Sequence, residues 1–302
     1  MNKSGIVLMM TLVLITLLMG IVALALGQSE KLSREGNRLF YQSASLRLLD
    51  DLEQQLPSLL SAITGAEELD LAMRLPLQIE SKKRDFTLTA NLSSPYGRWN
   101  INSLSNGDGK VNEANLALFM KLFATYPIAD ADIFIKLVLD TIDTDNSERS
   151  TDTEIALSHP DFKNGVIGDA KQFNLIVERY IELTKDTAIL SIPWDRYIGY
   201  EGDKMDFNAL TPEVLSLVLP TLSPEKIRTL TQFRTKAFVS KEEVVAAEPS
   251  LGALFDTYFF IYKSGVSYDL MCDVRIRENS HDEHMKFRYN LVDKRVKNVT
   301  LL

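Results

Sequence analysis

The sequence predicts an α+β fold in which a long N-terminal helix packs on a small antiparallel sheet, and a large, mainly helical domain interrupts that sheet. Three observations predict it. An uncharged apolar run over residues 6–27 passes into an amphipathic helical pattern that continues to Ile63. Period-two alternation marks strands near Phe86 and again from Val266 onward. Between these two β signals every strong periodicity is helical, which is the pattern of an insertion rather than of alternating βα units.

The apolar run reads IVLMMTLVLITLLMGIVALALG and carries no charge. As a helix it covers roughly 33 Å, enough to span a bilayer. Helix is the state that satisfies its backbone groups in lipid. Beyond it, Leu32, Leu39, Leu46, Leu49, Leu52, Leu56, Leu60 and Ile63 recur at spacings of three, four or seven, and no proline intervenes before Pro57. One helix is therefore expected to comprise a transmembrane part at 6–27 and a water-facing part at 28–64. Upstream stand only residues 1–5, Met1-Asn2-Lys3-Ser4-Gly5. Three readings fit this segment. It is a secretory signal cleaved near Ala23-Leu24-Ala25, an uncleaved anchor, or an anchor whose continuation serves assembly. Flanking charge leaves orientation open, because Lys3 faces Lys31, Arg34 and Arg38 across the run.

In the body, residues 64–77 read as a helix end and connector. Phe86, Leu88, Ala90 and Leu92 then alternate with polar residues as a half-buried strand. Val266 to Ile276 and Met285 to Leu291 repeat the signal, joined as a hairpin through a polar turn spanning 278–283. Residues 84–104 and 265–302 are thus assigned to the sheet, and 105–264 to the insertion. Cys272 falls on the inward face as a small buried hydrophobe. Helical faces are expected around Leu116, Phe119, Met120, Leu122 and Phe123, around Ile133, Phe134, Leu137, Val138 and Ile142, and around Phe173, Leu175, Ile176, Val177 and Tyr180. More follow at 214–219, 227–233 and 244–262.

Composition narrows function. The chain has 302 residues and a formal net charge of -8, so it lacks the basic surplus that binds a phosphate backbone. Nucleic acid is not an expected partner. A single cysteine excludes an intrachain disulfide and a paired-thiol zinc site, and three histidines offer few general bases. Nothing in the sequence invites an enzyme.

One stretch has metal-ligand spacing. Asp143, Asp145, Ser147, Thr151 and Glu154 occupy relative positions 1, 3, 5, 9 and 12, the oxygen pattern of a calcium loop. The sixth-position glycine and eighth-position apolar residue of an EF-hand are replaced by Glu148 and Ser150. The competing reading is a solvated acidic loop that caps a helix. A second stretch, Asn106-Gly107-Asp108-Gly109-Lys110-Val111-Asn112, lacks both terminal carboxylates of such a loop and reads as a turn before a helix starting near Glu113. His281 and His284 on the hairpin are a weak divalent-metal pair. Leu215, Leu219, Leu222, Ile227, Leu230 and Phe233 form a helix-hairpin-helix-like packing unit with no glycine in its hairpin.

The leader Lys3 and Gly5, set directly against the run beginning at Ile6, resemble the type IV prepilin and pseudopilin family. Met10 departs from it, since the family's fifth mature residue is usually glutamate. That departure, together with three further segments, resembles the K-type minor pseudopilin of type II secretion. The segments are Gly97-Arg98-Trp99-Asn100-Ile101-Asn102-Ser103-Leu104, Asp140-Thr141-Ile142-Asp143-Thr144-Asp145 and Asn208-Ala209-Leu210-Thr211-Pro212. Departures within them include Thr141 at a position often held by tryptophan. The resemblance implies a pilin-like fold and a prepilin peptidase that cuts between Gly5 and Ile6 and methylates Ile6. It implies a structural calcium held by Asp140, Asp143, Asp145 and Glu154. The implied partners are I-type and J-type minor pseudopilins, the major pseudopilin and the inner-membrane assembly platform, with secreted cargo as a further candidate. The implied location is the bacterial inner membrane with the body in the periplasm, and the filament tip after assembly. The alternative is a membrane-anchored periplasmic binding or enzyme module with an unrelated helical domain.

Overall fold

The computed structural model describes residues 57–58, 60–81, 86–106, 110–278 and 281–301. Gly5, Ile6, Met10, the apolar segment 6–27 and its continuation through residue 56 lie outside the described residues. Among those described, no helix is long and apolar enough to cross a membrane.

Leu60–Ala62 forms a short 3-10 turn. The helical reading over 28–64 therefore does not end as a regular α-helix. Gly65 then precedes α1 (Ala66–Arg74), so the segment 64–77, expected to be a connector, holds a helix of its own. Its acidic first turn (Glu67, Glu68) and basic last turn (Arg74) complement the helix dipole.

The sheet has five strands, β1 (Leu77–Ser81), β2 (Phe86–Ser93), β7 (Asp269–Glu278), β8 (His281–Asn290) and β9 (Arg295–Leu301). They pair antiparallel in the order β1-β2-β7-β8-β9. Register sets Ala90 against Val274 and Val274 against Met285, and likewise Leu92 against Cys272 and Cys272 against Phe287. Alternation thus places Leu88, Ala90, Leu92, Leu270, Cys272, Val274, Ile276, Met285, Phe287 and Tyr289 on one buried face. Burial pushes the Cys272 thiol up to about 12, so it behaves as a hydrophobe. The hairpin is tighter than expected, because Glu278 already pairs with His281. The β2 signal is met residue for residue, but the sheet segment stops at Ser93 rather than reaching 104.

The chain leaves that sheet after β2 and re-enters it at the neighbouring strand β7. Between them, Trp99–Asn100 (β3) pairs parallel with Ile198–Gly199 (β4), and Met205–Asp206 (β5) with Phe259–Phe260 (β6). The helices are α2 (Glu113–Thr125), α3 (Ala131–Ile142), α4 (Ile155–Ser158), α5 (Ala170–Thr184), α6 (Trp194–Tyr197), α7 (Pro212–Val218), α8 (Pro224–Thr231), α9 (Lys241–Ala247) and α10 (Gly252–Tyr258). Side-chain caps open most of the longer ones: Asn112, Asp130, Asp169, Thr211, Ser223 and Ser240 each accept from a backbone N–H of the first turn. The expected helix over 244–262 is broken into α9, a turn at Pro249 and α10, since Pro249 cannot donate within a helix.

Phe134 is the hub of the helical core. Its ring stacks on Trp194 at 5.4 Å and meets Phe119, Phe123, Phe173 and Tyr180 edge-on. Apart from Trp194, these rings come from the three helical faces read in the sequence, although Met120 and Leu175 of those sets are exposed. Trp99 enters the same core, its indole N–H donating to Asn115 Oδ1 at 3.0 Å. Asn102 clasps two distant segments: its Oδ1 accepts from Ile167 N at 2.7 Å, and its Nδ2 donates to the carbonyls of Ile167 and Tyr200. At Gly97 a side chain is excluded outright, since a Cβ there would lie 2.1 Å from the carbonyl oxygen of Ala209.

Tyr268 closes the joint between the two parts. Its hydroxyl donates to Asp206 Oδ2 at 2.7 Å and lies 2.6 Å from Ser94 Oγ. Asp206 is wholly buried, and desolvation raises its carboxyl to about 6 despite the bonds from Tyr268 and Asn208 N and the field of Arg234. A folded value above the unfolded one means that this group's stabilisation is complete below the ordinary carboxylate range. It is lost as pH rises through about 6. The melting temperature is therefore expected to fall over that window, and Asp206→Asn to remove a component of about 2–3 kcal/mol from the slope. Paired melts of the two proteins across pH check this.

Candidate functional site

The acidic run lies where α3 ends. The apolar face of α3 carries Leu137, Val138 and Thr141 inward, and that same face buries Asp140 completely. A buried carboxylate needs a counter-charge, and Arg149 supplies it. Arg149 Nη1 donates to Asp140 Oδ1 at 2.5 Å and also to Asp143 Oδ2, while its backbone N–H donates to Asp140 Oδ2 at 3.1 Å. Partial burial opposes the Arg149 charge, but these bonds hold its pKa above the usual value.

Beyond Arg149 the loop turns through Asp152, which has φ 65, and Thr153 folds its hydroxyl onto Ser150 O at 2.7 Å. Glu154 is buried as the N-cap of α4, accepting from Ala156 N at 3.3 Å. Asn164 returns to the same place. Its Nδ2 donates to Glu154 Oε1 at 2.8 Å and to the carbonyl of Asp145 at 2.9 Å. Gly165 follows with φ 122, and its N–H closes on Thr141 O at 2.7 Å.

Three acceptors of this loop are left without donors. Asp143 Oδ1, Glu154 Oε2 and Asn164 Oδ1 are buried and unpartnered. Desolvation raises the carboxyls of both Asp143 and Glu154, outweighing the bonds from Arg149 to the first and from Asn164 to the second. Of the residues chosen by spacing, Asp143 and Glu154 lie here, together with Asp140, which the family resemblance implied. Asp145 is exposed, its side chain turned to Ser147 N at 2.7 Å, and it reaches the site through its carbonyl. Ser147 and Thr151 are exposed. Among the described residues no three His, Cys, Asp or Glu side chains converge as a metal centre, because Arg149 stands between Asp140 and Asp143.

Arg149 and Asn164 are the two members that spacing arguments overlooked. Their signals were slight: a lone basic residue inside an acidic run, and an Asn-Gly pair of the kind that makes turns. The His281 and His284 pair gains no support, since His284 Nε2 is bonded to Asp273 Oδ1 at 2.8 Å and Lys286 shares that carboxylate.

No protein-family model matches this sequence, and no curated protein does. Among solved structures, one that is similar is the crystal structure of the GspK-GspI-GspJ complex from the type 2 secretion system of enterotoxigenic Escherichia coli. The match has a TM-score of 0.57 at 13% identity and covers 89% of this chain and 99% of that chain. This chain has the fold of a component of that complex. The expected α+β class, with an antiparallel sheet interrupted by helices, is borne out by it. At this identity the likeness concerns fold.

Removing the guanidinium should expose how much of the α3 end depends on it. Arg149→Ala leaves Asp140 charged, buried and unpaired, a change that typically costs about 3 kcal/mol or more. Chemical denaturation in the presence of a chelator is expected to show a loss of that order. A loss below ~1 kcal/mol would mean that water, not Arg149, satisfies Asp140.

Proposed function

We propose that this chain is a K-type minor pseudopilin of a type II secretion system. In this reading it is a structural subunit that caps the tip of the pseudopilus and helps to initiate it, and it carries out no chemistry of its own. The observation that carries the reading is the match along 99% of a chain of the GspK-GspI-GspJ complex, with the interrupting helical domain included. The leader junction Lys3-Gly5-Ile6 and the absence of a carboxylate at Met10 support it from the sequence side. A subunit with no neighbour above it has no terminal amine to neutralise in low dielectric, so it needs no glutamate there.

By this reading the partners are the I-type and J-type minor pseudopilins, the major pseudopilin, the prepilin peptidase and the inner-membrane platform. Secreted cargo would meet the exposed tip. The mature chain would sit in the inner membrane by residues 6–27, with its body in the periplasm, until assembly draws the helix into the filament. A helical domain as large as 105–264 is bulky enough to stop further subunits from stacking above it.

Processing is the direct test. Co-expressed with a prepilin peptidase, the chain is expected to lose residues 1–5 and to carry N-methylated Ile6 in its mass spectrum, and Gly5→Ala to abolish both changes. An intact Met1, or cleavage near Ala25, would sink the assignment and favour an anchored binding or enzyme module.

The acidic loop enters the same proposal as a structural calcium site. Its residues fit a hard cation, since Asp143, Glu154 and Asn164 each present a buried oxygen with no donor, and the Asp145 carbonyl adjoins them. Bound there, calcium would neutralise clustered carboxylates and fix the return of residues 143–165 onto α3. It would compete with Arg149 for Asp143. Calcium is therefore expected to raise the melting temperature of the full-length chain and to restore most of the stability lost in Arg149→Ala. Asp143→Asn combined with Glu154→Gln should remove both effects, as read by titration calorimetry. Rescue of Arg149→Ala by magnesium as fully as by calcium would contradict a large, flexible oxygen site.

A further inference from the structure

A second polar cleft, sharing no residue with the acidic loop, is lined by the Gly97–Ala209 contact. It has a volume of about 360 Å³ and is walled by α1, the end of β2, residues 97–98 and the segment that leads out of α8. Its charged residues are three arginines, Arg74, Arg98 and Arg234, against the single carboxylate of Asp70. In a chain of net charge -8 this is a local reversal of sign.

The balance inside the cleft is incomplete. Asp70 is fully used: Arg74 Nε binds one oxygen at 2.8 Å, and Arg234 Nη2 takes the other. Arg234 is held rigidly, its side chain 7% exposed, with Nη1 on Thr231 O and Nη2 on Asn208 O as well as on Asp70. Its Nε–H nevertheless has no acceptor, although it is buried. An unserved donor on a buried charge is destabilising. Asp206, which also feels Arg234, is occupied by Tyr268 and by Asn208 N and does not serve it. At the rim, Arg98 is exposed and its side chain forms no hydrogen bond or ion pair among the described residues.

We propose that this cleft binds a carboxylate of an acidic polypeptide segment, with Arg234 Nε–H and the Arg98 guanidinium as its donors. A planar, two-oxygen anion suits guanidinium donors presented from two sides. The remaining walls fit a side chain rather than a free ion: Met73 and Leu92 offer apolar surface for the methylene stem, and Ser94 and Thr211 offer hydroxyls at the edge. Arg234 is the fixed, pre-ordered donor, and Arg98 is the exposed one at the rim. This inference stands apart from the proposed function, because it asks only what chemistry the cleft accepts.

The test uses the full-length chain in a nonionic detergent and a fluorescein-labelled peptide of alternating glutamate and leucine, with its glutamine counterpart as control. Anisotropy is expected to rise with the glutamate peptide alone and to weaken with added salt. Arg98→Glu should reduce affinity by about tenfold or more with an unchanged melting temperature, and Arg98→Lys by less. Arg234→Lys keeps the charge but removes Nε–H, and is expected to weaken binding as well. Equal binding of the glutamine peptide, or indifference to Arg98→Glu, would overturn the proposal. Displacement by free succinate at the same concentration as by unlabelled peptide would assign the cleft to small carboxylates and overturn the polypeptide assignment.

Discussion

The whole arrangement depends on one hydrogen-bonded joint, the Tyr268 hydroxyl between Asp206 and Ser94. A sheet interrupted between adjacent strands β2 and β7 must hold the ends of the excursion together, or the two strands lose their register. Ser94 is the first residue after β2 and Tyr268 the last before β7, so their contact closes the loop where the entropy of closure is greatest. Asp206 brings in a third segment from inside the helical domain. Tyr96, Phe260 and Tyr262 then pack around Tyr268 with ring centroids 4.9–6.3 Å apart, excluding water from the joint. An ionisable acceptor serves here because it accepts from both the Tyr268 hydroxyl and the Asn208 amide, which an aliphatic residue could not do. The cost is a carboxyl pushed upward by burial.

The same region explains why two short motifs lie far apart in sequence yet act together. Gly97 and Ala209 come from segments more than a hundred residues apart and touch backbone to backbone. The contact is locked by Thr211 N bonding to Gly97 O at 3.2 Å and Asp206 N to Tyr96 O at 2.9 Å. Asn100 and Asn102 continue the seam, reaching Gly202, Ile167 and Tyr200 by side-chain amides. Each spends its polar groups on backbone of a neighbouring segment that lacks a ladder partner, which is how an irregular domain satisfies buried amides without long strands.

Much of this was legible in the sequence, and what was not had physical causes. Period-two alternation found β2, β7 and β8 because one face of each is buried. It missed β9, whose Arg295, Lys297 and Asn298 lie on an exposed edge with a bulge between Lys286 and Arg288 and whose Asn298 has φ 53, so that neither face keeps a pattern. Helical periodicity found the faces around Phe134 but could not place Met120 or Leu175, since a helix end and a neighbouring loop decide which flank is covered. Carboxylate spacing located the acidic loop at Asp143 and Glu154, and the family resemblance added Asp140, yet the partners that define its geometry are tertiary. Arg149 folds back along the loop and Asn164 arrives from beyond α4, and ligand-loop templates carry no information about either.

The acidic loop also shows why a guanidinium is a partial substitute for a cation. Arg149 is planar and directs its donors within that plane, so it serves one oxygen of Asp143 and leaves the other bare. Arg149 forms no bond to Glu154, which is met from one side by Asn164, whose amide donates to it while its own oxygen is buried and unpaired. Asp143 Oδ1, Glu154 Oε2 and Asn164 Oδ1 are all acceptors, so none of them can serve another. Protonation would serve one or two of them, and the raised carboxyls of Asp143 and Glu154 express that tendency. The end of α3 thus folds on Arg149, which pairs with Asp140 and with one oxygen of Asp143, while Glu154 is held from one side by Asn164.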